Sequence, residues 1–180
     1  MHQPSRPPIA TAILSPKGQA VLDLHAEAYS SLVVEEEGSA QARKILESIS
    51  SSQDLFSQPI TSDEDAKAVL AGLWLWHDWL KESHEISQKI DTPTGSFWHA
   101  ILHRREGDFS NSKYWYDRAR GQPVLNRLAE FDFPPPKKFV DEVERIYDRP
   151  DDPRFDVCVN LQRLEWNRLF DYCLRRAVGR

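Results

Sequence analysis

Apolar side chains recur at steps of three and four residues through the middle of this 180-residue chain. That spacing is typical of helices with one buried face. The clearest run comprises Ala66, Val69, Leu73, Trp76 and Leu80. We find no convincing set of alternating apolar and polar residues that would indicate β-strands. The pattern therefore predicts an all-α protein.

Prolines, glycines and capping residues divide the rest of the chain into helices and loops. Thr61 and Glu64 have the spacing of a capping box at the start of the central helix. Ser39, Ser96 and Asn111 are placed to cap three other helices. We predict helices over 18–32, 40–48, 62–88, 97–106, 111–119, 123–130, 137–147 and 155–178.

A short Pro-Gly loop at 91–95 joins the two central helices and predicts an antiparallel hairpin over 62–106. We expect a single compact helical domain over 17–180, with about seven or eight helices around this hairpin. Residues 1–16 contain four prolines and are predicted to form a flexible arm. Cys158 and Cys173 fall on the last helix, roughly 22 Å apart, which excludes a disulfide bond between them.

The composition argues against several classes of function. The net charge of −5 disfavours a nucleic-acid-binding surface, although Arg175, Arg176 and Arg180 make the last helix locally basic. No apolar run reaches the roughly 20 residues that a membrane-spanning helix needs. Residues 1–8 lack the apolar core of a signal peptide. We therefore expect a cytoplasmic protein with no nucleic-acid or membrane partner.

Four of the six histidines fall between His77 and His103. His77 and His84 are seven residues apart, so on one helix they would point about 20° from each other. His99, His103 and Glu106 follow at steps of four and three and share one face of the next helix. In a hairpin, the four imidazoles and the carboxylate would meet in one pocket.

Such a pocket suits a divalent metal ion, because neutral imidazole and carboxylate are common ligands of zinc and related metals. A metal there would acidify a water molecule for hydrolysis. Without a metal, the same groups could act as general acid and base or bind a small anion. Arg104 and Arg105 are candidates for orienting an anionic substrate, and Asp78 for fixing a histidine tautomer.

A structural role is the alternative for the same histidines, since histidines that border a tryptophan-rich core are often held there by hydrogen bonds alone. Tyr114, Trp115 and Tyr116 cannot all face one core, so we expect at least one of them to point elsewhere. It then lines the pocket, contacts a partner or lies flat on the surface. In the first interpretation, Tyr114 and Tyr116 contact a small-molecule ligand. In the second, the protein is a non-catalytic helical scaffold that meets a protein partner through Tyr114 or Tyr116 and the proline-rich arm.

The segment from Thr92 to Tyr116, TPTGSFWHAILHRREGDFSNSKYWY, resembles a signature of uncharacterised small helical proteins of bacteria and fungi. The preceding segment from Trp76 to His84 belongs to the same signature, and the resemblance covers about residues 70–125. It implies a helical fold and no particular activity. A second resemblance, to one helix pair of a tetratricopeptide repeat, implies a helix-turn-helix geometry. The second resemblance rests on Gly107, Asp108, Phe109, Tyr116, Ala119 and Pro123.

Overall fold

The structure, a computed structural model, describes residues 11–24, 29–36 and 38–180. Within these ranges it contains nine α-helices, and the predicted all-α fold is confirmed. The helices are α1 (Pro16–Leu22), α2 (Ala40–Glu47), α3 (Asp63–Trp76), α4 (Leu80–Ser87), α5 (Pro93–Glu106), α6 (Phe109–Arg118), α7 (Pro123–Arg127), α8 (Pro136–Ile146) and α9 (Pro153–Ala177). Short 3₁₀ turns span Thr11–Ile13, Ser52–Leu55 and Leu128–Phe131.

The first helix is much shorter than the apolar spacing over 18–32 predicts. It ends at Leu22, and Tyr29 has a left-handed backbone conformation with φ of 62°. Residues 1–10 of the predicted arm lie outside the described residues, whereas Ile13 and Leu14 of the same arm are buried in the core. The described part of the arm therefore packs with the domain.

The helix predicted over 62–88 is two helices, α3 and α4, separated by the turn at 77–79. Asp78 in this turn has a left-handed φ of 65°, a conformation that aspartate tolerates better than most residues. Gly38 packs against the turn, and a Cβ atom there would lie 1.9 Å from the His77 carbonyl oxygen. The predicted hairpin over 62–106 is accordingly not confirmed, and three helices pack together instead of two.

The side chain of Arg105 accounts for the end of α3. Its buried guanidinium, on α5, donates to the Leu75 carbonyl at 3.2 Å and to the Asp78 carboxylate at 2.6 Å. It also donates to the Ser31 carbonyl and lies 3.9 Å from the centre of the Tyr29 ring. The structure thus pairs Arg105, predicted to orient a substrate, with Asp78, predicted to orient a histidine, and both predicted roles stay predictions.

Helix α5 is the central helix, and its side chains from Thr94 to Arg105 are all buried. It begins before the predicted cap Ser96, because the Thr92 hydroxyl accepts from a backbone amide of the first turn and Pro93 favours the first helical position. It ends at Gly107, whose φ of 81° is left-handed. Since α5 is enclosed on all sides, its polar side chains need partners inside the protein.

Arg104 finds its partners on α6 and α9. It is fully buried, and its Nη2 atom donates to the equally buried Glu165 carboxylate at 2.6 Å. The Tyr116 hydroxyl accepts from Arg104 and donates to Glu165, and the guanidinium lies 4.7 Å from the centre of the Phe139 ring. Arg104 and Tyr116, both predicted to bind a ligand, are buried and bonded within this network, and their predicted ligand-binding roles stay predictions.

Helix α9 packs along α3, where the Trp166 indole donates to the Gly72 carbonyl at 2.9 Å. Cys158 and Cys173 both lie on α9, buried and unbridged as predicted. Burial raises the pKa of the Cys158 thiol to about 11, which keeps it protonated. Among the described helices, none combines the length and the apolarity needed to cross a membrane.

We expect Arg104→Met to lower the free energy of unfolding by about 3–5 kcal/mol, because the substitution leaves the Glu165 carboxylate buried without its cation. Chemical unfolding followed by circular dichroism measures the loss. Arg120→Met is the matched control: Arg120 pairs with Asp117 at the surface with 79% of its side chain exposed. Its effect should stay within about 0.5 kcal/mol. Equal losses from the two substitutions would contradict the importance of the buried pair.

Candidate metal centre

Three of the four predicted histidines converge where helices α4, α5 and α6 meet. His84 lies on α4, whereas His99 and His103 lie one turn apart on α5. One ring nitrogen from each histidine lies within 4.8 Å of the other two. The centre of the His84 ring is 5.0 Å from that of His99 and 5.6 Å from that of His103. The predicted convergence is therefore present for these three residues.

Two buried serines fix the helices that carry the site. The Ser83 hydroxyl on α4 donates to the Ala71 carbonyl of α3 at 2.9 Å, and the adjacent His84 ring faces α5. The Ser112 hydroxyl on α6 donates to the Ala100 carbonyl of α5 at 2.7 Å. A hydroxyl buried without a partner would be unfavourable, so these bonds specify how α4 and α6 sit on their neighbours.

His99 presents a neutral ring with one nitrogen available. Its Nδ1 atom donates to the Gly95 carbonyl at 3.2 Å, and its ring stacks on Trp115 with 4.3 Å between centres. Only 2% of the residue is exposed, and this burial lowers the pKa of His99 to about 4. Because Nδ1 carries the hydrogen, the lone pair for a metal lies on Nε2.

Glu106 orients His103 in the same tautomer. The His103 Nδ1 atom donates to the Glu106 carboxylate at 2.8 Å, which leaves Nε2 without a hydrogen. A carboxylate bound to the far ring nitrogen is the usual support of a metal-ligating histidine. This geometry does not favour the predicted role of Glu106 as a direct metal ligand, because its carboxylate accepts from the Nδ1 atom of His103.

Asn111 is a member of the site that sequence reasoning missed. Its side-chain amide donates to His103 Nε2 at 3.2 Å. The predicted capping role is wrong: Asp108 caps α6 and accepts from the Asn111 backbone amide at 3.1 Å. The turn formed by Gly107 and Asp108 was the available signal, since an aspartate directly after a helix-ending glycine is a strong candidate cap.

His84 differs from the other two histidines because no hydrogen bond among the described residues holds its ring. It is half-buried, and within the described part of the chain its ring makes ring contacts but no hydrogen bond to a side chain or carbonyl. Its helix has only eight residues. The site therefore combines two oriented imidazoles with one that can rotate.

His77 does not join the cluster. It follows the last residue of α3, and its Nε2 atom lies 2.8 Å from the Val21 carbonyl oxygen of α1. The structure therefore does not bring His77, a predicted metal ligand, together with the other three histidines, because the turn at Asp78 separates it from α4. A helical wheel drawn through 62–88 does not reveal such a break.

Tyr114 lies at the outer edge of this region with 53% of the residue exposed. It meets Trp115 edge-on at 5.5 Å between ring centres, and Arg118 lies over both rings. Its predicted contact with a ligand or a protein partner stays a prediction.

Comparison of the chain with protein-family models, curated proteins and solved structures gives no match. The resemblances to the bacterial and fungal signature and to a tetratricopeptide helix pair stay predictions from sequence. Function must therefore be inferred from the chemistry of the three histidines and their neighbours.

In the metal-free protein, we expect the Cε1 proton of His99 to titrate in NMR spectra with a midpoint near pH 4. The unfolded chain binds this proton near pH 6.5, so His99 reduces stability progressively as the pH falls from about 6.5 to about 4. His99→Gln should remove that part of the pH dependence of unfolding. A midpoint above pH 6 would show that burial does not keep the ring neutral.

Proposed function

We propose that the protein binds one divalent transition-metal ion of the zinc type through His84, His99 and His103. The convergence of three ring nitrogens carries this proposal. Two of the rings have their Nδ1 atoms engaged as donors, which supports Nε2 as the ligand atom. Imidazole nitrogens suit zinc, copper, nickel and cobalt, whereas magnesium and calcium require oxygen ligands.

A bound ion would fix the spacing of the three ring nitrogens. With metal–nitrogen bonds of about 2.0–2.1 Å, the nitrogens of a tetrahedral site lie roughly 3.3 Å apart. In the structure the three nitrogens all lie within 4.8 Å of one another. Rotation of the His84 side chain is the available movement, because its ring is half-buried and not held by a hydrogen bond among the described residues. At His103 the ion would bind Nε2 and replace the hydrogen bond that this nitrogen now accepts from the Asn111 side-chain amide.

Three protein ligands leave a fourth tetrahedral position for water, an arrangement typical of catalytic zinc sites. A metal held by these three histidines would supply Lewis-acid chemistry there, lowering the pKa of a bound water enough for it to serve as a nucleophile in hydrolysis. Hydrolysis of an ester or phosphate ester is therefore the activity to test, with p-nitrophenyl acetate and bis-p-nitrophenyl phosphate as the first substrates.

A non-catalytic scaffold is the alternative function, and the exposed Tyr114 is the observation that favours it. In that case the hydrogen bonds of His99 and His103 are purely structural. Metal binding separates the two proposals, because a structural cluster takes up no ion stoichiometrically.

Titration of the metal-free protein with Co²⁺ should give visible absorption bands that saturate at one ion per chain and disappear when zinc is added. We expect His84→Ala to weaken binding by more than about 100-fold, since outer supporting groups alone contribute about 10–100-fold. The half-buried position of His84 makes this variant the least disruptive to the fold. Circular dichroism checks that helix content is kept.

His77→Gln is the matched control, because it removes a histidine that lies outside the cluster. Its affinity for Co²⁺ should equal that of the unaltered protein. If the unaltered protein takes up no stoichiometric metal, as judged by elemental analysis of untagged material, the proposal is wrong and the histidines are structural.

Glu106→Gln should weaken metal binding by about 10–100-fold without changing the stoichiometry, because a neutral amide supports the His103 ring less well than a carboxylate. Calorimetric titration with zinc measures the change. Glu85→Gln on α4 provides the control, since Glu85 is exposed and carries the same charge. Equal losses from both variants would indicate general electrostatics rather than support of His103.

A further inference from the structure

A second concave site lies between α7, the 3₁₀ turn Leu128–Phe131 and α9. We call it the α7–α9 groove. Its cavity volume is about 250 Å³, and none of the three converging histidines lines it. Side chains at 168, 172 and 175 reach it from one face of α9, since they are four and three residues apart. Its apolar walls include Val124, Phe131 and Tyr172. Its charged lining consists of the cations Arg127, Arg168 and Arg175 and one carboxylate, Asp171.

The three arginines of the groove are not equivalent. Arg127 pairs with Glu130 at 3.1 Å, and Arg175 pairs with Asp171 at 2.8 Å. Arg168 has no carboxylate partner among the residues that the structure describes. Its guanidinium lies 3.8 Å from the centre of the Phe131 ring, and its buried Nε atom has no hydrogen-bond acceptor there.

An unpaired guanidinium in a half-buried groove favours an anion. Its charge is less screened than at the surface, and its planar donors match the oxygens of a carboxylate or phosphate. The Phe131 ring holds it in place from one side. The walls around it add apolar contact area, so an inorganic ion alone would leave much of the groove unused.

The size of the groove limits the rest of the ligand. A dry cavity of about 150 Å³ accommodates benzene. A volume of about 250 Å³ therefore has room for one ring with a single anionic substituent.

We propose that the α7–α9 groove binds a small aromatic anion, with Arg168 receiving its carboxylate or phosphate group and Phe131 and Tyr172 contacting its ring. This site is separate from the metal centre, and the proposal does not rest on metal binding.

Two-dimensional amide NMR of the full chain tests the proposal, with phenyl phosphate, phenylacetate, benzyl alcohol and inorganic phosphate as probes. We expect saturable shifts of α7 and α9 resonances with at least one aromatic anion. Comparison of phenyl phosphate with phenylacetate shows which anionic group Arg168 prefers. Benzyl alcohol lacks the anionic group, and inorganic phosphate lacks the ring. Each should therefore bind at least tenfold more weakly than the preferred aromatic anion. Equal binding of inorganic phosphate and phenyl phosphate would overturn the proposal.

Arg168→Gln should weaken binding of the preferred aromatic anion by more than tenfold. Arg176→Gln is the matched control, because it removes the same charge from an exposed position of α9 outside the groove. Equal losses in both variants would overturn the proposal in favour of non-specific charge attraction. Val124→Trp keeps Arg168 but fills the groove, and it should also block binding. Unchanged binding in this variant would place the ligand elsewhere.

Discussion

Two adjacent arginines on the central helix, Arg104 and Arg105, have no contact with water and must find partners inside the protein. Neighbouring residues on a helix point about 100° apart, so the two side chains reach different elements. Arg104 binds Glu165 on α9, whereas Arg105 binds the last turn of α3 and the carbonyl of Ser31. Together they attach three separate parts of the chain to α5. The packing around that helix depends on these charges being matched.

The contact made by Arg105 also decides which histidines belong to the cluster. By holding the end of α3 and the turn at Asp78, it lets α4 start in a new position from which His84 reaches α5. His77 precedes this turn and lies against α1 instead, at the Val21 carbonyl. Periodicity alone could not predict this outcome, because the apolar stripe from α3 into α4 continues through the break. The left-handed conformation of Asp78, just after α3, is held by Arg105, a partner 27 residues away in the sequence.

The parts of the site set by local spacing were predictable from the sequence. His99 and His103 share a face because they are four residues apart, and the short loop before α5 keeps His84 beside them. The buried arginines were not predicted, since a basic pair near a helix end is normally exposed. A signal was present, however: the residues at 97–102 are almost all apolar, which indicates a helix buried on every side.

The enclosure of α5 has a consequence for how the protein opens. Because α5 is buried from Thr94 to Arg105, we expect the hydrogen-bonded amides in the interior of this helix to exchange with solvent only when the whole domain unfolds. Helix α4 has eight residues and an exposed side, so we expect it to open in a smaller, less costly fluctuation once the Ser83 bond to α3 breaks. His99 and His103 thus belong to the slowest-opening part of the molecule, and His84 to a faster one. An ion held by all three would escape through the opening of α4, long before the domain unfolds.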